Sequence, residues 1–376
     1  MAKIISRFAD FVRETDRLLL YFCIAASVFG SIEILSVTHR LSTIRPFAIQ
    51  LASMFVGVFA ALFISMFDFE TVIKRWYLAA ALGVIPVILT FFIGFAPEGT
   101  DDKAWLDLGF TTLQPAELLK ISFIITFAAH INLIRPNINK LRYLIPLVIH
   151  GAFPVVLIHF QGDDGTALVF AVMFFCMLYA AGVSWKYFAA AVSAMLVASP
   201  IVYFFIMNED QRKRVIGVFN IDADIKGSTY QQYRARMALA NGGVFGQGLF
   251  KGNLTQVGGV PEGRNDFIFV SIGEELGFIG CMIVLLLLAA ICFRCIRTAR
   301  ICSKDSGKII CVGFFSMIFA QTVINIGMCT ALLPVIGVTL PFFSSGGTSL
   351  LCTFLGVGLV MSVYKHRNSR IIYLHD

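Results

Sequence analysis

Apolar runs of about 20 residues recur from one end of the chain to the other, and they leave it little choice of fold. At about 1.5 Å of rise per residue, such a run crosses the roughly 30 Å hydrocarbon core of a bilayer as a helix. Windows of about 19 residues predict spans near 18–36, 48–67, 77–95, 117–134, 143–160, 166–183, 188–206, 275–293, 309–331 and 349–364. The expected fold is all-α and polytopic, with about ten transmembrane helices and one membrane domain over residues 1–376. Barrel strands would alternate in segments of about ten residues, whereas 278–293 is continuously apolar. Only 14% of the 376 residues are charged, against about a quarter in soluble domains, so a water-soluble globule is excluded.

Eighteen of the 30 Lys and Arg residues fall in one set of alternate connections, among them Lys3, Arg7, Arg75, Arg142, Arg297, Lys308 and Arg370. Outside the long connection 207–266, the opposite set holds only Arg40, Arg45 and Lys103. Basic residues near span ends resist translocation, so both termini are expected to be cytosolic and the chain to sit in a cytoplasmic membrane. The formal charge of +7 is scattered between spans, which argues against nucleic acid and for anionic lipid headgroups as partners. Nine cysteines lie mainly in apolar runs, and no disulfide framework is expected. No short apolar stretch with a cleavage site opens the chain, so no cleaved signal is expected.

The connection 207–266 holds 14 of the 53 charged residues and lies on the outer side. Structureless loops longer than about 15 residues are uncommon. Here a helical stretch at 236–239, closely spaced glycines and interspersed aromatics predict an ordered element. Near it, ionisable side chains at the membrane edge are candidates for function, because their desolvation is costly. Glu117 and Lys120 open the fourth span at i, i+3, on one helical face. They read either as a structural ion pair or as the charged floor of an outward cavity. Asp266 ends the charged connection just before apolar sequence. There a partly desolvated carboxylate suits a general base, or equally an N-cap for a short helix 267–273. Glu274 and Glu275 follow, the first a candidate second carboxylate and the second a candidate packing partner. Arg214 and Arg264 are the candidate contacts for a phosphate or pyrophosphate, which guanidinium groups grip with two parallel hydrogen bonds.

Other patterns carry less. Gly243-x-x-Gly246-x-Gly248 has the wrong spacing for a dinucleotide loop and follows no βαβ strand. Cys292-x-x-Cys295 lacks a second ligand pair. His130, His150 and His159 each stand alone in an apolar span and read as packing residues. No cofactor is demanded, although Asp163 and Asp164 leave open a divalent cation, magnesium or manganese, bridging a pyrophosphate.

Three blocks together resemble one family. The run Pro341-Phe-Phe-Ser344-Ser-Gly-Gly-Thr-Ser349, preceded by Asn325-Ile-Gly-Met328 and Leu333-Pro-Val-Ile-Gly337, is similar to the C-terminal signature of the SEDS proteins, the RodA/FtsW/SpoVE family. Gln114-Pro-Ala-Glu117 with Trp105 upstream, and Pro261-Glu262 through Asp266-Phe267 to Glu274-Glu-Leu-Gly277, match two more blocks. The resemblance implies a peptidoglycan glycosyltransferase that polymerises lipid II on the outer face of the cytoplasmic membrane and releases undecaprenyl pyrophosphate. It implies that Asp266 is the catalytic carboxylate and that Trp105, Gln114, Glu117, Lys120, Arg214, Asn325 and Ser344 line or support the cavity. It also implies a class B penicillin-binding protein as partner.

The chain departs from the family pattern at Gln161-Gly-Asp163-Asp164-Gly-Thr166, where Gln-Pro-Asp-Leu-Gly-Thr is usual, and at Ala116, Arg234 and Ser345. Short tails, about 16 residues before the first span and 12 after the last, favour the RodA type. A lipid II flippase and a scaffold for the transpeptidase are the competing functions.

Overall fold

A computed structural model describes residues 15–39, 43–96, 103–107, 109, 112–220, 224–227 and 229–367. The helices are α1 (Arg17–Thr38), α2 (Arg45–Met66), the short α3 (Phe69–Lys74), α4 (Trp76–Ile93), α5 (Pro115–Ile134), α6 (Leu141–His159) and α7 (Asp164–Ala180). They continue as α8 (Trp185–Ile201), α9 (Glu209–Phe219), α10 (Tyr230–Gly242), α11 (Ile268–Ile301), α12 (Asp305–Cys329) and α13 (Gly347–Lys365). Among the described residues, β1 (Leu106–Asp107) pairs antiparallel with β2 (Thr112–Leu113). Among the described residues, nine helices are long and apolar enough to cross a membrane. The expected sixth span falls on α7, whose 17 residues are apolar but shorter. The expectation for both termini rests on residues 1–14 and 368–376, and that for Arg40 on 40–42, all outside the described residues.

Helices α5, α12 and α13 form the buried centre, whereas α8 has no buried residue. Small residues let the helices approach closely, which matters where lipid tails are as apolar as leucine. Gly57 of α2 faces the Phe354 ring of α13, and Gly358 of α13 faces the Ala61 backbone of α2. Hydroxyl groups inside α1 are satisfied locally: Ser27 and Ser31 each donate to the carbonyl four residues back. At the N-terminal end of α1, Asp16 accepts the Leu19 N–H as N-cap and takes Arg294 of α11 in a two-pronged grip at 2.7–3.1 Å.

The eighth span differs most from expectation. It begins at Ile268, seven residues before the predicted start, and it is broken at Gly277 (φ 68°, ψ −164°). The segment 268–275 is buried throughout, so it packs within the protein instead of against lipid. The break frees the Glu274 and Glu275 carbonyls to accept the N–H groups of Gln247 and Gly248, while Phe278 N–H donates to Gly243 O. The glycines 243, 246 and 248 thus serve turns with positive φ that dock on this break, in keeping with the exclusion of a nucleotide loop. A Cβ at Gly277 would run into the backbone of 244–246, and its dihedrals suit glycine alone. Gly277→Ala is therefore expected to cost at least about 1–3 kcal/mol, read as a lowered unfolding midpoint in detergent.

Candidate active site

The N-terminal ends of α5, α7 and α11 and the segment 333–346 meet around Asp266. Helix α11 takes Phe267 as its N-cap with no side-chain capping bond, so the N-cap role for Asp266 is not what forms. The Asp266 backbone is held instead. Its carbonyl accepts from Asn325 Nδ2 at 2.7 Å, and the same amide donates to Val338 O at 2.7 Å. Next to it, Ser344 Oγ donates to Asn265 O at 2.7 Å and accepts Leu340 N–H at 2.8 Å. Ser345 N–H donates to Arg264 O. Gln50 of α2, which the sequence analysis passed over, closes this clamp: its Nε2 donates to Ser344 O and its Oε1 accepts Gly346 N–H. A glutamine inside an apolar span was the available signal.

The Asp266 side chain is half-buried and accepts no hydrogen bond from any described residue. Gly337 (φ 68°) forms its wall, and a Cβ there would sit 3.6 Å from Asp266 Oδ2. Burial first, then the charges of Glu262 and Asp163, push its pKa up to about 7. Desolvation and like charge both penalise the ionised form.

Asp163 is the second carboxylate of the site. It is the N-cap of α7: Oδ1 accepts Thr166 N–H at 2.8 Å, and Oδ2 accepts Gln114 Nε2 at 3.0 Å. Burial raises its pKa above the usual carboxylate range, opposed by the Thr166 hydrogen bonds and the Lys120 charge. Glu117 and Lys120 lie buried beside it as an ion pair of 2.8 Å. The structural ion-pair reading is the one that forms, with both charges buried within one turn of α5. Trp105 is half-buried, its carbonyl accepting Phe95 N–H beside the β1–β2 hairpin. Arg214 stands exposed on α9 with Nη1 3.4 Å from Val335 O, and Arg264, two residues before Asp266, is half-buried.

Three expected substrate contacts are placed otherwise. Glu274 is fully buried and saturated by the loop: Oε2 accepts Thr255 N–H and Oγ–H at 2.7 Å, and Oε1 accepts Leu254 N–H at 2.9 Å. Glu275 acts likewise as the packing partner, accepting from Ser36 Oγ of α1, Phe250 N–H and Gln256 Nε2. Asn325 and Ser344 are buried and spend their hydrogen bonds on backbone, so they brace the site from behind. The solitary histidines are also corrected. His130 and His150 pair at 3.1 Å, His150 reaches Thr126, and His159 meets Asp164.

A family model described as a cell cycle protein, covering FtsW, RodA and SpoVE, matches residues 16–369. The chain belongs to the FtsW/RodA/SpoVE family. The SEDS peptidoglycan glycosyltransferase MrdB of Escherichia coli K12 is 32% identical over 292 residues, covering 77% of this chain and 78% of that protein. The probable peptidoglycan glycosyltransferase FtsW of Borreliella burgdorferi is 35% identical over 292 residues, covering 75% and 79%. A chain of a solved peptidoglycan synthase complex, which coordinates polymerisation and crosslinking, superposes with a TM-score of 0.81 at 24% identity, over 95% of this SEDS chain and 99% of that chain.

Proposed function

We propose that this SEDS protein is a peptidoglycan glycosyltransferase that polymerises lipid II at the outer face of the cytoplasmic membrane, with both termini cytosolic. The observation that carries the reading is the Asp266 carboxylate: fixed by its backbone, free of hydrogen bonds to described residues, and poised near neutral pH. It takes the proton of the acceptor sugar 4-hydroxyl. That oxygen attacks the anomeric carbon of the second substrate with inversion, and undecaprenyl pyrophosphate leaves. Arg214 and Arg264 are the groups that offset the charge developing on the pyrophosphate. Trp105, Gln114, Glu117 and Lys120 line or support the cavity around the substrate.

The described residues offer no all-protein metal cage, since no three His, Cys, Asp or Glu side chains converge on one point, so a divalent cation held at Asp163 would take its other ligands from the pyrophosphate and water. No step here runs through a cation. The synthase-complex likeness supports a class B penicillin-binding protein, a transpeptidase, as the partner that cross-links the strands.

Purified protein given labelled lipid II is expected to yield glycan strands. A flippase would instead carry the label across proteoliposomes without lengthening it, and a scaffold would do neither. The base must be ionised to act, so activity is present above its pKa and lost as pH falls through it. With that pKa about 7, kcat/KM should drop about tenfold per unit below neutrality and level off above it. A flat profile between about pH 5 and 8 would remove Asp266 as the base.

A further inference from the structure

Asp163 and Asp164 are neighbours in the chain but face different parts of the molecule. Asp163 turns inward to Gln114 and Thr166. Asp164, the first residue of α7, turns outward to the rim. There Oδ1 lies 2.5 Å from His159 Nδ1 at the end of α6, and Oδ2 accepts Gln211 Nε2 of α9 at 2.9 Å. The Gln211 amide is not free to rotate. Its Oε1 accepts Asn208 N–H, and Asn208 Oδ1 accepts Gln211 N–H, a reciprocal capping box at the start of α9. With the oxygen of that amide fixed on the helix, its nitrogen is left to aim at Asp164.

Three residues beyond Gln211, on the same face of α9, stands Arg214. It leans on the Val335 carbonyl, two residues before the Gly337 that walls Asp266. Helix α9 itself is polar, largely exposed and short, and a short helix with little apolar burial is not held in place by packing. Polar ties to the bundle therefore decide where it sits.

We propose that Asp164 is a positioning residue: through Gln211 it fixes α9 to the N-terminus of α7 and so holds Arg214 at the mouth of the Asp266 cavity. His159 buttresses the same carboxylate from α6. The substrate-facing half of this inference rests on the glycosyltransferase reading; the positioning half does not.

The test uses the full-length protein in detergent and two readouts. Amide hydrogen exchange over 209–219 reports whether α9 is held. Asp164→Leu and Gln211→Leu are each expected to raise it about tenfold, the double variant no further, because both cut one tie. Asp164→Asn keeps an acceptor for Gln211 and should restore most of the protection. In steady-state polymerisation of lipid II, Asp164→Leu should lower kcat/KM about tenfold while the pH midpoint set by Asp266 stays in place, since Arg214 is displaced from the developing pyrophosphate charge and Asp266 is not. Asp164 is half-buried and His159 exposed, so an unchanged unfolding midpoint is expected. Unchanged exchange in Asp164→Leu overturns the proposal whatever the kinetics show. Raised exchange with unchanged kcat/KM overturns the link to substrate. Raised exchange in a chain whose wild type makes no glycan supports the positioning role and overturns the reaction reading.

Discussion

Replacing Asp266 by alanine or asparagine should lower lipid II polymerisation by about 10²–10⁴-fold, the usual contribution of a positioned general base. The fold should survive the change. The Asp266 carboxylate accepts no hydrogen bond from a described residue, and the hydrogen bonds that hold this position reach its backbone carbonyl from Asn325. Removing a half-buried carboxyl that titrates near neutrality relieves desolvation and repulsion from Glu262 and Asp163. The unfolding midpoint should therefore stay level or rise while turnover collapses. A structural residue would show the opposite pattern, with stability lost alongside activity. Undiminished polymerisation by Asp266→Asn would sink the base assignment, and a partner transpeptidase that keeps working beside an inactive variant would favour the scaffold role.

The second large effect is on stability. Lys120 is 1% exposed and Glu117 4%, and their 2.8 Å contact is intramolecular within one turn of α5. Lys120→Met leaves a buried carboxylate without its counter-ion, a loss of about 3–5 kcal/mol. Removing both charges costs less, because no unpaired charge remains inside; Glu117→Gln with Lys120→Met should recover much of the loss. Thermal unfolding of the three proteins in one detergent reads this directly. A single variant as stable as the wild type would mean that water reaches the pair. Neutralising both residues removes the Lys120 charge that lowers the Asp163 pKa together with the Glu117 charge that raises it.

The helical class and most span positions were legible because desolvating a polar backbone is so costly that long apolar runs admit one solution. The site was legible in part. Asp266, Glu117 and Lys120 stood out as ionisable groups where hydrocarbon begins and Gln114 through the family resemblance, and the fold brings them to one place with Asp163. What sequence could not convey is where each side chain points. Glu274 follows Asp266 by eight residues and has the same chemistry, yet it is turned under the loop and saturated there. Asn325 and Ser344 belong to the right motif but spend their hydrogen bonds on backbone carbonyls and N–H groups.

By itself, then, the sequence determined a membrane-spanning helical bundle, a charged connection over 207–266 and a short set of ionisable residues, because transfer free energy depends on composition along the chain. Only the tertiary structure decided that, at this site, Asp266 and not Asp163 or Glu274 is left without a hydrogen bond from a described residue. That outcome depends on segments far apart in sequence: the break at Gly277 that docks the loop on Glu274 and Glu275, and the Asn325 and Gln50 contacts that brace 264–266 against 338–346. Hydrogen bonds are directional and short, so a residue's role as donor, brace or base is settled by its neighbours in space.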